Sequence, residues 1–198
     1  MNMASGKFLF LVALAAIVGG CTSSSPRHAE LPPVPEPDPQ TDFATTRTFS
    51  APPERLWQAW TEGELLKQWW GPRGFTSPVA EIDLRPGGTS LVAMEAPPEF
   101  GGRTYYNTWT YTTIVPPHRL DFLARFSDEE GNPVHPSEQG LPQGIPAEVP
   151  HVLIFEPTDD GGTRLTVIEY GYESQEAIDL SRQGLEQCLD KLAETLAP

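Results

Sequence analysis

The sequence predicts an α+β fold, in which one antiparallel β-sheet packs against a long C-terminal helix and two short helices follow the first strand. Three observations carry this reading. Segments rich in β-branched and aromatic residues, separated by Pro/Gly turns, fill about residues 79 to 170. The last segment, "SQEAIDLSRQGLEQCLDKLAETL", repeats its apolar residues every three or four positions. Finally, "FATTRTFS" places a strand directly before "PPERLWQAW", which opens with the proline of a helix start.

In chain order, "FATTRTFS" alternates Phe43, Thr45, Arg47 and Phe49 against smaller residues and reads as a strand. "PPERLWQAW" spaces Leu56, Trp57 and Trp60 at helical intervals. "TEGE", Thr61 to Glu64, has the form of a capping box, so a second helix is expected from there to the paired Trp69 and Trp70, where Gly71 and Pro72 stop it. Trp69 is expected on the face that packs on the sheet, and Trp70, one step round, toward the rim of any internal space. Five or six strands follow: "VAEIDLRPGG", "TSLVAME", "RTYYNTWTYTTIV", "RLDFLARF", "EVPHVLIFE" and "TRLTVIEYGY". A meander is the simplest way to join them. One pair can be registered: with Phe155 opposite Leu165 across the Asp159–Gly162 turn, Leu153 meets Val167, His151 meets Glu169, and Glu156 meets Arg164 on the other face. Ser174 is placed to cap the terminal helix, whose stripe is Ile178, Ser181, Leu185, Cys188, Leu189, Leu192 and Leu196. At 1.5 Å per residue that helix spans about 30 Å, enough to cross a sheet.

The ends of the chain read differently. Residues 1–20 have the form of an export signal: Lys7 supplies a positive start, "FLFLVALAAIV" is an apolar run too short to cross a bilayer comfortably, and "VGGC" places small residues before Cys21. The pattern resembles a bacterial lipoprotein signal, with Val18 where Leu is commoner. The resemblance implies lipidation of Cys21, membrane anchoring through that lipid and, with Thr22 next, an outer-membrane, periplasm-facing address. Residues 21–42 are rich in Ser and Pro and hold almost nothing to bury, so they are expected to be a tether reaching up to roughly 60 Å at about 3.1 Å per residue. His28 within it has no second ligand nearby. The domain proper is expected over residues 43–198.

Charge and cysteine content narrow the function. Thirteen Lys plus Arg against 27 Asp plus Glu give a net charge of minus 14 without a basic cluster, which argues against a nucleic-acid partner. With Cys21 lipidated, Cys188 is left without a partner for an internal disulfide, and its place on the helix stripe reads as a packed small hydrophobe. No metal-ligand spacing or phosphate loop is present, "RPGG" being a hairpin turn with no helix after it, so no cofactor is expected.

"RTFSAPPERLWQAWTEGELLKQWWGPRGFTSPVAEIDLRPGGTSLVAME", followed by "VPPHRLDF" and "GGTRLTV", resembles the SRPBCC superfamily. Within it, the branch similar to the C-terminal domain of the activator of the 90-kilodalton heat-shock protein ATPase fits best, over residues 43 to 196. The resemblance implies a helix-grip (START/Bet v 1-like) fold, in which a curved antiparallel sheet wraps around the long C-terminal helix and leaves an apolar cavity. Two departures stand out: Gly184-Leu185 replaces the Gly-Trp common early in the last helix, and residues 127 to 148 form a long Pro/Gly-rich loop, expected to be a lid.

The candidate ligand-binding residues are Trp70, Tyr105, Asn107, Trp109, Tyr111, His151 and Glu169. Tyr105, Asn107, Trp109 and Tyr111 share one face of a strand, and aromatic walls with a few polar groups are what small-molecule pockets use. They also fit a plain sheet core. His151 opposite Glu169 has acid–base potential if buried, but equally fits a structural pair, and no second nucleophile accompanies it, so the chain is expected not to be an enzyme. The expected function is binding of an apolar small molecule by a membrane-anchored lipoprotein. The alternatives are an envelope protein-interaction module without a ligand, like the co-chaperone domain of that branch, and an enzyme akin to the superfamily's polyketide cyclases.

Overall fold

The structure is a computed structural model and describes residues 32–197; from Val34 onward they form one compact unit. The export signal, Cys21 and His28 lie outside the described residues. Among the described residues no helix is long and apolar enough to cross a membrane.

The elements run β1 (Phe43–Phe49), α1 (Pro53–Thr61), α2 (Gly63–Leu66), β2 (Ala80–Glu81), β3 (Thr89–Glu95), β4 (Thr104–Val115), β5 (Arg119–Ser127), β6 (Glu148–Pro157), β7 (Thr163–Glu169) and α3 (Gln175–Leu196). The sheet is antiparallel with strand order β1-β7-β6-β5-β4-β3-β2. This is the helix-grip order anticipated from the sequence: a meander from β2 to β7, β1 added beside β7, and the long helix last. The β6–β7 register is the expected one, with His151 opposite Glu169, Leu153 opposite Val167 and Phe155 opposite Leu165. It holds because a one-residue slip would move Leu153 and Phe155, both buried, to the opposite face from Leu165 and Val167.

Four local expectations are corrected. The second helix is a single turn, Gly63–Leu66, and Thr61 does not cap it. Thr61 is instead the last residue of α1, where its hydroxyl donates back to the Trp57 carbonyl at 2.8 Å. The stretch expected as a strand from residue 79 pairs only at Ala80–Glu81; the Asp83 amide bonds the Ser90 hydroxyl instead of a strand, bending the chain early. The last strand ends at Glu169 rather than Tyr172, because Gly171 adopts φ +90° and turns the chain toward α3. The far end of the tether is not free: the Tyr170 hydroxyl donates to the Pro35 carbonyl (2.9 Å), the Gly171 amide to Asp42 Oδ1 (2.9 Å) and the Tyr172 amide to the Thr41 carbonyl (2.7 Å). Asp42 is buried there, so residues 34–42 belong with the domain.

The core is aromatic at one end. Trp60 of α1 meets Trp69 at 4.7 Å and Trp70 at 6.1 Å, Trp70 meets Trp109 at 4.9 Å, and Trp109 stacks on Phe122 at 4.7 Å. Trp69 is fully buried with its indole N–H on the Ala59 carbonyl (3.0 Å), the packing role expected of it. After Trp70 the chain must reverse within a few residues. Gly71 makes that possible at φ +102°, where an added Cβ would press on the Cβ atoms of Phe75 and Met94 at 3.1 and 3.2 Å. The turn is tied to α3 by Lys191, whose ammonium donates to the carbonyls of Gly71 (3.0 Å) and Phe75 (2.9 Å), and by the Arg73 amide on Gln187 Oε1 (3.1 Å). The paired tryptophans therefore stand where α2 is fastened to the terminal helix, one facing the core and the other the space beside it.

Candidate functional site

A cavity of about 320 Å³ lies between the sheet and α3. Its floor is built from alternate residues of four strands: Tyr105 and Asn107 of β4, Ala124 and Phe126 of β5, Val149 and His151 of β6, and Glu169 of β7. Period-two alternation puts them on the inward face. Its roof is one side of α3, with Leu180, Ser181, Gly184, Leu185 and Cys188 at helical spacing. The Trp70–Phe75 turn closes one end, and Leu141 and Ile145 of the long loop line another part of the wall.

That loop is ordered rather than slack. It carries a short 3-10 turn, Pro136–Gln139, capped by His135, whose Nδ1 accepts the Ser137 amide. Arg103 donates to the Gln139 carbonyl at 2.9 Å, and the Gly144 carbonyl accepts the Glu173 amide at 2.9 Å just before α3 begins. Both attachments hold Leu141 and Ile145 in place. Ser174 caps α3 as expected, accepting the Ala177 amide at 3.2 Å.

The polar part of the wall is one connected group. The Tyr172 hydroxyl donates to Glu169 Oε2 at 2.5 Å, and Glu169 Oε1 stands 3.4 Å from His151 Nε2. His151 Nδ1 is 2.9 Å from the Val149 carbonyl; a carbonyl only accepts, so Nδ1 carries a proton. Nε2 then faces a carboxylate and gains by holding a proton as well. Burial works against that charge, but the attraction and hydrogen bonding of Glu169, with help from the Val149 carbonyl, outweigh it and raise the His151 pKa above its ordinary value. Phe122 stacks on the imidazole at 4.7 Å and 13°, fixing its plane. For Tyr172, burial and then the Glu169 charge push the hydroxyl far above the usual phenol range, so it remains a donor. Burial pushes the Cys188 thiol up to about 12, which makes it an inert wall residue. At the other side of the floor, Arg125 is paired with Glu148 at 2.6 Å. Among the described residues no group of three or more His, Cys, Asp or Glu side chains is placed to hold a metal ion.

Residues 50–197 match the family model described as "Activator of Hsp90 ATPase homolog 1-like protein". The chain belongs to that family. Among solved structures it is similar to protein Ms6760 from Mycobacterium smegmatis, with 30% identity, 80% of this chain and 91% of that one covered, and a TM-score of 0.64. Protein CV1439 from Chromobacterium violaceum follows at 25% identity, 80% and 98% coverage and a TM-score of 0.65. A protein from Staphylococcus epidermidis matches at 26%, with 80% and 91% covered and a TM-score of 0.64. No curated protein matches the chain in sequence.

Of the residues singled out from the sequence, the structure brings Trp70, Tyr105, Asn107, His151 and Glu169 to the cavity. Trp109 and Tyr111 do not line it. Both are fully buried: Trp109 lies between Trp70 and Phe122, and the Tyr111 hydroxyl bonds Ser90 Oγ at 2.9 Å. They share the inward face with Tyr105 and Asn107, but at their end of the strand the aromatic cluster fills the space. Sequence reasoning missed Tyr172, Ser181 and Gly184. Ser181 was visible as the polar member of the α3 stripe, where a hydroxyl among leucines signals something other than packing. Tyr172 was not, because the turn at Gly171 breaks the alternation that would have pointed it inward.

Proposed function

We propose that this member of the family binds an apolar small molecule in the space between the sheet and α3, and does so as an exported lipoprotein held at a bacterial envelope membrane by lipid on Cys21. The observation that carries the binding reading is the cavity itself: about 320 Å³, within the range of small-ligand sites, and walled mainly by apolar side chains with one polar cluster. That cluster suits recognition better than catalysis. A general base needs a free lone pair, and His151 has one nitrogen on the Val149 carbonyl and the other against Glu169. The lipoprotein reading is supported by "VGGC" after the apolar run in the sequence.

Titration with a neutral dye whose emission rises in apolar surroundings, such as Nile red, tests the cavity, alongside native mass spectrometry of protein extracted from membranes. Saturable, one-to-one uptake is expected; no uptake and no co-purified ligand would end the binding reading. Metabolic labelling with an alkyne fatty acid tests the address separately, with label expected on the natural chain and lost in Cys21→Ser.

A further inference from the structure

The polar groups on the cavity wall differ in what they have left to offer a ligand. Two cationic residues belong to the wall: alternation turns His151 inward with Val149, and turns the Arg125 side chain outward, away from the face of Ala124 and Phe126. His151 stands against Glu169, and Arg125 is held by Glu148 at 2.6 Å, so each is balanced by a carboxylate on a neighbouring strand. The other cations nearby are engaged and do not line the cavity: Lys191 donates to the carbonyls of Gly71 and Phe75, and Arg103 to those of Gln139 and Glu138 while lying over the Tyr105 ring. Hydrogen-bond acceptors are in the opposite condition. A carboxylate oxygen accepts two hydrogen bonds. Glu169 Oε2 receives the Tyr172 hydroxyl, but Oε1 receives only the long 3.4 Å contact from His151. Asn107 uses its amide N–H on the Tyr106 carbonyl at 2.5 Å, and its Oδ1 takes no hydrogen bond from any described residue.

We infer that the cavity selects uncharged amphiphiles bearing a hydroxyl or N–H donor, with the donor resting on Glu169 Oε1 and the apolar body lying along α3, and that it rejects fatty acids and other anionic amphiphiles. This rests on the cavity being the ligand site. An anionic headgroup would enter an apolar space in which each lining cation already has a carboxylate; the buried, unpartnered Trp70 indole N–H offers it one neutral hydrogen bond, which does not balance a buried charge. A hydroxyl meets the opposite situation, an acceptor with unused capacity. An ether of the same shape can accept but not donate, so it gains nothing from Oε1. The chain's net charge of minus 14 works in the same direction at longer range.

The test is displacement of Nile red from the full-length protein at pH 7 by three probes with one chain: 1-decanol, decyl methyl ether and decanoate. Decanol is expected to displace the dye at a concentration at least tenfold below decanoate and several-fold below the ether. In Glu169→Gln the Tyr172 hydroxyl keeps the amide oxygen at the Oε2 position and the amide N–H2 replaces Oε1, so a donor faces the ligand's donor and the alcohol's advantage over the ether is expected to vanish. Decanoate equal to or better than decanol would overturn the inference, as would an ether as effective as the alcohol in the natural protein. The natural protein decides on its own should the variant fold poorly. Dye that never enters is a different failure, since it removes the cavity reading and this inference with it. Dye that enters but is displaced equally by all three probes leaves the cavity and removes only the selectivity.

Discussion

Filling the cavity from its roof should stabilise the fold and abolish its occupancy. Gly184 lies in the middle of α3 and lines the space; a Cβ built there meets only Pro72 Cγ, at 4.0 Å, an ordinary van der Waals contact. Glycine inside a helix costs about 1 kcal/mol relative to alanine. Gly184→Ala should therefore gain about that much, and for a domain of this size 1 kcal/mol corresponds to roughly 2–4 °C in Tm. Gly184→Leu adds burial of an apolar side chain, worth about 1.5–3 kcal/mol, so a total gain of up to about 2.5–4 kcal/mol is expected, a rise of up to about 5–16 °C. The same leucine occupies space the ligand needs. Thermal denaturation followed by circular dichroism, paired with Nile red titration, reads both effects. The alanine variant should gain stability and keep its dye, and the leucine variant should gain more and lose it. A fall in Tm for Gly184→Leu would mean that the space is not there to be filled, and a rise with unchanged dye affinity would mean that the dye binds elsewhere.

Three other outcomes follow from particular contacts. The His151 pKa is raised in the folded state, so its ion pair with Glu169 stabilises fully below the ordinary value of about 6.5 and is lost as pH climbs through the raised one; Tm should decline across that window, and His151→Gln should flatten the decline. At Gly144, with φ +91°, an added Cβ would fall 2.3 Å from Ser174 Oγ, so Gly144→Ala should cost about 1–3 kcal/mol and, by lifting Ile145 from the wall, speed dye entry in stopped flow; unchanged entry would mean that the loop is not the gate. Cys188, buried and with its pKa pushed up to about 12, should react with a thiol reagent at pH 8 at least ~100-fold more slowly in the native protein than in denaturant, and prompt native labelling would contradict its place in the wall.

The register of β6 and β7 was legible because two independent patterns agreed on it. The inward residues pair apolar with apolar and His151 with Glu169, while the outward Glu156 and Arg164 form a 3.0 Å ion pair. Shifting either strand by one residue spoils both faces at once. The second helix was misread because Thr61 satisfies a capping pattern in sequence while its hydroxyl is already taken by the preceding turn of α1. Capping patterns describe competition for a side chain, and the sequence does not say which backbone group wins.

The division between core and cavity was the hardest feature to see, and it has a physical reason. Alternation assigns Tyr105, Asn107, Trp109 and Tyr111 to one face, but whether an inward side chain meets another side chain or a void depends on what the opposing layer brings to that height. Over Trp109 the turn after α2 brings Trp70, and Phe122 of the neighbouring strand stacks beside it; Asn107 and Tyr105 are left facing the cavity. A signal for this was present in the small residues. Ala124 interrupts the bulky inward residues of β5, and Ser181 and Gly184 interrupt the apolar stripe of α3. Small inward residues on a floor and a roof that approach each other leave a gap, unless large neighbours reach across it. The tryptophans are instead gathered by α1 and the Trp70–Phe75 turn at one end, and Leu141 and Ile145 of the loop help to enclose the remaining space. The long loop thus complements the residue choice that makes the cavity: a floor and roof interrupted by small side chains need a further wall, and residues between β5 and β6 supply part of it.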